Sequence, residues 1–219
     1  MKCLTFIILL ALLTSFYSKL VESSSTKYMS RFGFPSNLKS TNPKPLSKGI
    51  GEHKIDCQEG ALSSFQYKLF GKDQLKCNYK CMEPTKCSAK CKKSHQEKDK
   101  KRCKLNHTVY KDYGNGKVDY LGRFHPLCKA GEIITSFNYE RKNKEGRFAF
   151  RCCPAKVNDC KVIPTKPSSY DKFELKDLDK QNVTCPNPSS QAIRGFKLMV
   201  NFKTKQIYFN VDCCTIAGR

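Results

Sequence analysis

The 219-residue sequence predicts an all-β protein built from three disulfide-clamped β-hairpins. Three observations lead to this fold class: the chain has 14 cysteines, a cysteine-framed segment recurs three times, and apolar residues alternate with polar ones within each copy. Such alternation is typical of a strand with one buried face. Because one hairpin cannot bury its apolar face alone, we expect the three copies to share a single core.

The three copies, which we call repeats, span about residues 50–82, 121–154 and 178–214. Each begins with an opening cysteine, continues through an alternating strand and a polar turn, and ends with a closing cysteine on a second strand. The opening and closing cysteines are Cys57 and Cys81, Cys128 and Cys152, and Cys185 and Cys213. This pattern favours a β-prism-like arrangement, in which the repeats are related by a pseudo-threefold axis.

Corresponding apolar positions support the same alignment. An aromatic residue occupies the middle of the first strand of each repeat, at Phe65, Phe137 and Phe196. We expect these three side chains to be buried at equivalent places. An apolar residue also lies seven positions before each opening cysteine, at Ile50, Leu121 and Leu178.

The cysteine spacing predicts one bridge within each repeat, which closes a loop of 24, 24 or 28 residues. On the chain-entropy model, each such bridge contributes about 3 kcal/mol. Cys153 or Cys214 is an alternative to its vicinal neighbour as the closing cysteine. Seven other cysteines follow the signal segment, so one of them is expected to stay unpaired or to form an intermolecular disulfide. They are Cys77, Cys87, Cys91, Cys103, Cys153, Cys160 and Cys214.

The N-terminus predicts secretion. Lys2 precedes an apolar run over residues 3–16, which has the length of a signal-peptide core, and Val21 and Ser23 suit cleavage after Ser23. We therefore expect residues 1–23 to be a signal peptide. A signal anchor is the alternative, which the shortness of the run disfavours. An oxidising compartment makes disulfides the default for the remaining cysteines.

Two glycosylation sequons agree with secretion. Asn106-His-Thr and Asn182-Val-Thr both lack a proline in the middle position. The sequence therefore predicts N-linked glycans at Asn106 and Asn182.

Residues 24–49 precede the repeats and contain five positive charges, no acidic residue, and many Ser, Thr, Pro and Asn residues. Such a composition buries little apolar surface, so we expect a flexible basic leader. A propeptide is the alternative. The three-repeat domain then extends over residues 50–219.

The charge predicts an anionic partner. The chain has 41 Lys and Arg against 19 Asp and Glu, which gives a formal net charge of +22. A charge of this size attracts polyanions and says little about the fold. Outside the N-terminus no apolar run approaches the 20 residues of a transmembrane helix, and the composition argues against a coiled coil and a typical cytosolic enzyme.

Residues 83–120 are interpreted as a basic insertion in the first repeat. Nine basic residues lie between positions 86 and 104, where Cys87, Cys91 and Cys103 could hold them in a compact basic knob. The residues expected to bind an anionic ligand are Lys90, Lys92, Lys93, Lys98, Lys100, Lys101, Arg102 and Lys104. The alternative is a solvated loop whose lysines only keep the protein soluble.

A second group of candidate ligand-binding residues lies in the predicted hairpin turns. Arg141 and Lys142 belong to the second turn, and Lys203 and Lys205 belong to the third. If a threefold axis relates the repeats, these turns emerge at one end and form a cationic ring. The alternative is that exposed turns are simply polar.

Other site classes are disfavoured. Cys87, Cys91, His95 and Cys103 offer four zinc ligands, but an oxidising compartment and an unusual spacing argue against a metal site. The sequence has no Gly-x-Ser-x-Gly, His-Glu-x-x-His or phosphate-loop motif, and its four histidines lie in linkers and lead-ins, outside the strand cores. We expect no enzymatic activity and no cofactor. Nucleic acid is not expected as a partner of a secreted chain.

The cysteine-framed aromatic strands at Phe65, Phe137 and Phe196 resemble those of two groups of secreted β-prism proteins. One is the vitelline-membrane outer-layer type, and the other is the cysteine-rich C-terminal domain of apicomplexan perforin-like proteins, which engages target membranes. The resemblance covers about residues 50–219, and this chain departs from it through the basic insertion after Cys81. It implies a binding or structural role outside the cell and transfers no catalytic residues.

The sequence thus predicts a secreted, non-enzymatic binding module that attaches to anionic glycans or to anionic membrane surfaces. One alternative is a basic, cysteine-stabilised toxin or host-directed effector. A second alternative is a structural component of an extracellular coat or matrix.

Overall fold

A computed structural model describes residues 38–45, 49–51, 53–58, 60–82 and 103–217. Long strands dominate these residues, which confirms the predicted all-β class. The strands are β1 Leu38–Ser40, β2 Lys44–Pro45, β3 Ile55–Asp56, β4 Ala61–Phe70, β5 Gln74–Met82, β6 Lys104–His107, β7 Lys111–Asp112, β8 Glu132–Lys142, β9 Glu145–Pro154, β10 Val157–Pro164, β11 Ser168–Ser169, β12 Asn182–Thr184, β13 Gln191–Asn201 and β14 Gln206–Ile216. Short 3₁₀ helices occupy Gly114–Gly116, Val118–Arg123 and Leu175–Lys180.

Across the described residues the strands form three antiparallel sheets, each centred on one long hairpin. In sheet 1, β4 and β5 form the hairpin, with β1 and β2 beside β5 and β12 beside β4. In sheet 2, β8 and β9 form the hairpin, with β6 and β7 beside β9 and β3 beside β8. In sheet 3, β13 and β14 form the hairpin, with β10 and β11 beside β14.

Three phenylalanines join the sheets in the middle of the core. Phe65, Phe137 and Phe196 are all buried, and their ring centroids lie 4.9–5.0 Å apart in each of the three pairs. These separations are typical of favourable aromatic packing. The predicted burial of the three side chains is confirmed.

The core around these rings is filled. A void of about 10 Å³ remains between aliphatic and aromatic side chains, which leaves room for one water molecule at most. Around these rings the described residues therefore form a packed core, and this void is too small for a ligand.

Backbone hydrogen bonds link each hairpin to a neighbouring sheet. The amide of each opening cysteine donates to the carbonyl of a bulged residue in the first strand of another hairpin. The three bonds are Cys57 N to Thr135 O at 2.8 Å, Cys128 N to Arg194 O at 3.0 Å and Cys185 N to Ser63 O at 3.2 Å. The β-bulge falls at the same position in all three hairpins. The sheets are thus connected in a closed cycle.

Five disulfides lie within the described residues. Three are the bridges that the spacing predicts within the hairpins: Cys57–Cys81, Cys128–Cys152 and Cys185–Cys213. The other two, Cys103–Cys153 and Cys160–Cys214, join the vicinal cysteines of sheets 2 and 3 to segments at the sheet edges. The opening cysteine therefore pairs with the first cysteine of each vicinal pair.

Residues 38–45 differ from the expected flexible leader, because they form β1 and β2 at the edge of sheet 1. Thr41 explains the difference. Its amide donates to the carbonyl of Cys77, and its hydroxyl oxygen accepts the amide of Cys77, both at 2.9 Å. Composition does not reveal such a clamp, which needs one hydroxyl at one position. Residues 24–37 and the signal segment lie outside the described residues.

Residues 103–120 also differ from their interpretation as part of an insertion. They contribute β6 and β7 to sheet 2, where Thr108 clamps Phe148 as Thr41 clamps Cys77. Thr165 makes the same pair of bonds with Phe209 in sheet 3. The three edge segments thus have the same local design, and residues 83–102 lie outside the described part of the chain.

His53 corrects the expectation that the histidines lie away from the strand cores. Its side chain is fully buried, with Nδ1 2.8 Å from the hydroxyl of Thr41 and the ring edge-on to Tyr67. Phe124 and Gln181 occupy the corresponding lead-in positions of the other two repeats and are also buried. The residue four positions before each opening cysteine therefore fills a space between sheets, whatever its polarity.

Cys77 has no disulfide partner and is buried in sheet 1. Burial raises the pKa of its thiol well above the ordinary value. A buried, protonated thiol cannot pair with another chain in the folded protein. If an intermolecular disulfide exists, it has to involve a cysteine outside the described residues.

Replacing Phe137 with Ala should lower the unfolding free energy by about 3–5 kcal/mol, because the ring contacts both of its counterparts in the core. Urea unfolding of the mature protein measures the change. Phe202→Ala is the matched control, since that ring is 67% exposed and should change stability by less than about 0.5 kcal/mol. Equal effects of the two variants would refute the shared aromatic core.

Candidate functional site

The three hairpin turns lie at one end of the molecule. The cyclic bonds from the opening cysteines place the disulfide-bonded ends of the hairpins together. Each first strand then runs 10 or 11 residues, roughly 30 Å, before its turn. Residues 71–73, 143–144 and 202–205 therefore share the opposite end, which we call the turn end.

The turn end is cationic. Its exposed basic residues are Lys72, Arg141, Lys142, Lys144, Lys203 and Lys205, against the exposed acidic residues Asp73, Asp112 and Glu145, of which Asp112 lies opposite Glu145 on β7. None of the described carboxylates lies within 4 Å of the ammonium groups of these five lysines. Their charges are therefore available to an external anion.

Two phenylalanines project from the same end. Phe70, the last residue of β4, is 50% exposed, and Phe202, the first residue after β13, is 67% exposed. The ammonium group of Lys76 lies 5.3 Å from the centroid of the Phe70 ring. At least half of each side chain is exposed, so both rings are accessible from outside the chain.

The Phe202 ring adjoins a small aromatic cluster. Its centroid lies 5.9 Å from that of Phe173, which stacks on Tyr170 at 3.7 Å. Phe173 has a φ of +57°, a conformation that bulky residues rarely adopt. Its carbonyl accepts a 2.7 Å hydrogen bond from the amide of Val118, which helps to hold that conformation. The cluster therefore gives Phe202 a firm support.

In sheet 2, Tyr139 of β8 lies close to the β8–β9 turn. Tyr139 is buried, and its hydroxyl lies where a Cβ atom on Gly146 would be. The hydroxyl has no hydrogen-bond partner among the described residues, and burial raises the pKa of Tyr139 to about 12. Arg141 acts in the opposite direction, because its positive charge favours the phenolate.

The described residues include all the predicted turn residues but only one basic residue of the predicted basic knob. Lys104 is exposed at the start of β6, and the other basic-knob residues lie outside the described part of the chain. The chain leaves sheet 1 at Met82 and enters sheet 2 at Cys103, beside the disulfide-bonded ends of the hairpins. Arg141, Lys142, Lys203 and Lys205 are exposed at the turn end.

The predicted glycosylation residues both lie in edge strands. Asn182 is exposed at the start of β12, whereas Asn106 is partly buried in β6, where its amide donates to the carbonyl of Lys104 at 3.3 Å.

Within the described residues, two groups of possible metal ligands each contain two cysteines, and these cysteines are bonded to each other in a disulfide. Cys128 and Cys152 lie near Glu132, and Cys160 and Cys214 lie near Asp212, but each cysteine pair forms a disulfide. Cys103, one member of the zinc set considered from the sequence, is bonded to Cys153. A disulfide sulfur has no thiolate charge to offer a metal.

Sequence reasoning missed Phe70, Phe202 and the Tyr170–Phe173 stack. Phe70 carried a usable signal, because the alternation within β4 places it on the opposite face of the strand from the core residue Phe65. The stack carried none, since it depends on the positive φ of Phe173.

No known protein family, curated protein or solved structure matches this chain at a significant level. Among the described residues, no helix is both long and apolar enough to cross a membrane.

Replacing Tyr139 with Phe should leave stability at pH 7 nearly unchanged, because the lost hydroxyl has no described partner. At high pH the variant should be the more resistant. The pKa of about 12 in the folded state exceeds the value of 10 expected in the unfolded state, so wild-type stability falls as pH rises between these values. Urea unfolding of both proteins at pH 7, 10 and 11 tests this prediction. An equal decrease of the unfolding free energy with pH in the wild type and the variant would contradict it.

Gly146→Ala should destabilise the protein by about 1–3 kcal/mol, because the new methyl group would overlap the hydroxyl and the end of the Tyr139 ring. The same substitution should cost clearly less in the Tyr139→Leu background, which lacks both the hydroxyl and the ring. Urea unfolding of the two single variants and the double variant measures this coupling. Strictly additive effects would show that the tyrosine side chain is not the obstacle.

Proposed function

We propose that the protein is a secreted, non-enzymatic binding module whose turn end attaches to an anionic membrane surface. The observation that carries this proposal is that the exposed rings of Phe70 and Phe202 lie at the hairpin tips together with lysines that have no described carboxylate within 4 Å. A soluble polyanion requires only the lysines. The phenylalanines add a reason to prefer a surface with an apolar layer beneath its charge.

The energetics suit reversible attachment. Each lysine near an anionic leaflet contributes about 1 kcal/mol, and the attraction falls off within a Debye length of about 8 Å at physiological salt. Phenylalanine rings gain further free energy by entering the region between headgroups and acyl chains. The five turn-end lysines and the two exposed rings therefore supply a weak but additive affinity that depends on salt.

We propose that the three sheets are copies of one unit in a β-prism-like arrangement. The corresponding bulges, the cyclic cysteine bonds and the three threonine clamps support this relation. A unit that repeats about an axis delivers its three turns to one side, which is what a binding face requires.

Secretion and N-glycosylation belong to the same proposal. The five disulfides of the described residues suit an oxidising compartment. The exposure of Asn182 makes its side chain accessible for glycosylation.

The double variant Phe70→Ala, Phe202→Ala should bind vesicles of phosphatidylcholine with 30 mol% phosphatidylserine at least about tenfold more weakly than the wild type. Two lost ring insertions account for a change of this size. Cosedimentation at 0.15 M salt measures it.

Val162→Ala is the matched control, because Val162 is 61% exposed but belongs to the edge strand β10. It should bind vesicles as the wild type does. Undiminished vesicle binding by the double phenylalanine variant would contradict membrane attachment. In that case, retention on heparin would favour an anionic glycan as the partner.

Two variants with four neutralised charges each compare the turn end with the basic knob. Replacement of Arg141, Lys142, Lys203 and Lys205 with Gln should weaken vesicle binding more than replacement of Lys98, Lys100, Lys101 and Arg102, because the first set belongs to the turn end, as do the exposed rings of the proposed site. The same vesicle assay decides between them. Equal losses would indicate non-specific electrostatics, and a larger loss from the knob variant would place the site there.

A further inference from the structure

Three arginines of sheet 2 and its edge segment lie over tyrosine rings. Arg123 lies 4.1 Å from the ring centroid of Tyr120, Arg147 lies 4.4 Å from that of Tyr110, and Arg141 lies 5.7 Å from that of Tyr113. All three tyrosines lie within residues 110–120, between β6 and the end of the 3₁₀ helix Val118–Arg123. A guanidinium stacked on an aromatic face keeps its N–H edge free for hydrogen bonding.

The Arg123 pair has the firmest support. The Tyr120 ring lies against the backbone of Gly114, where a Cβ atom would collide with it. Gly114 has a φ of +57°, which glycine adopts without strain. The tyrosine ring therefore contacts both the glycine backbone and the guanidinium.

Arg123 differs from Arg147 in whether a carboxylate lies beside its guanidinium. Arg147 donates to the carboxylate of Glu140 at 2.8 Å, so its charge is already paired. No described carboxylate lies within 4 Å of the Arg123 guanidinium. The ammonium group of Lys111 donates to the main-chain carbonyl of Arg123 at 3.1 Å, which places a second cation beside this residue.

We propose that Arg123 and Lys111 form a site for a tetrahedral oxyanion, the phosphate or sulfate monoester of a lipid headgroup. A planar guanidinium binds two oxygens of such a group at once, and the remaining N–H groups of the ammonium can reach a third. The proposal rests on the proposed function, because Lys111 pairs with Gly146 just after the β8–β9 turn and so lies close to the turn end. It adds selectivity for headgroup chemistry to attraction by charge.

The test compares vesicles of matched zeta potential that contain phosphatidylserine, phosphatidic acid or sulfatide in phosphatidylcholine. The wild-type protein should prefer phosphatidic acid or sulfatide over phosphatidylserine by about fivefold, as one additional bidentate contact provides. Arg123→Lys keeps the charge but loses the planar fork, so it should bind phosphatidylserine normally and lose the preference. Tyr120→Leu, which removes the stacked ring, should reduce the preference in the same direction.

Arg147→Lys is the control, since that guanidinium is engaged by Glu140, and its preference should equal that of the wild type. A wild-type protein without preference, or an Arg123→Lys variant that retains it, would overturn the proposal. If no vesicle binds, membrane attachment fails, and titration with soluble sn-glycerol 3-phosphate then decides the site separately. Saturable binding by the wild type but not by Arg123→Lys would keep the oxyanion site and reject the lipid source, whereas no binding by either would reject both.

Discussion

Each opening cysteine belongs to two sheets at once, and the rest of the fold depends on this double attachment. Its sulfur is bonded to the closing cysteine of its own hairpin, while its amide donates to a bulge carbonyl of a neighbouring hairpin. Because the three bonds form a cycle, no sheet can turn away without breaking two contacts. This constraint brings the three phenylalanines to one point and sends the three turns to one end.

The hairpins were predictable because their two signals are local. Period-2 alternation gives the strands, and loops of 24, 24 and 28 residues give the bridges. Phe65, Phe137 and Phe196 fall at matching positions in that pattern and meet in the core.

The edge strands were less predictable, because a single threonine holds each of them. Thr41, Thr108 and Thr165 bond through both amide and hydroxyl to the return strand of their sheet. The residues around them are polar or proline-rich, so composition alone suggests a leader or an insertion. The repeated threonine was a usable signal, but only when compared between copies.

The charged residues of the candidate site could be predicted from the sequence, but the contacts around Phe202 and Arg123 could not. Charge is visible in any sequence, and four of the cationic turn residues were identified from it. The role of Phe202 depends on its neighbours, since Phe173 needs a positive φ to stack on Tyr170 and support the exposed ring. Arg123 likewise acquires its significance from the Tyr120 ring and from the lack of a nearby described carboxylate.

Sheet 1 departs from the other two in ways that all weaken it. Cys77 replaces the bulky ring that Phe148 and Phe209 provide, and Met82 occupies the position at which sheets 2 and 3 carry a second disulfide. A smaller core residue leaves less apolar surface buried, and one bridge fewer leaves the edge segment held by hydrogen bonds alone. We therefore expect the free energy of opening to be lowest in sheet 1, where β1 and β2 depend on the Thr41 clamp. Phe70 belongs to sheet 1, so we expect this exposed ring to lie on the sheet with the lowest free energy of opening. Phe202 belongs to sheet 3, which two disulfides hold.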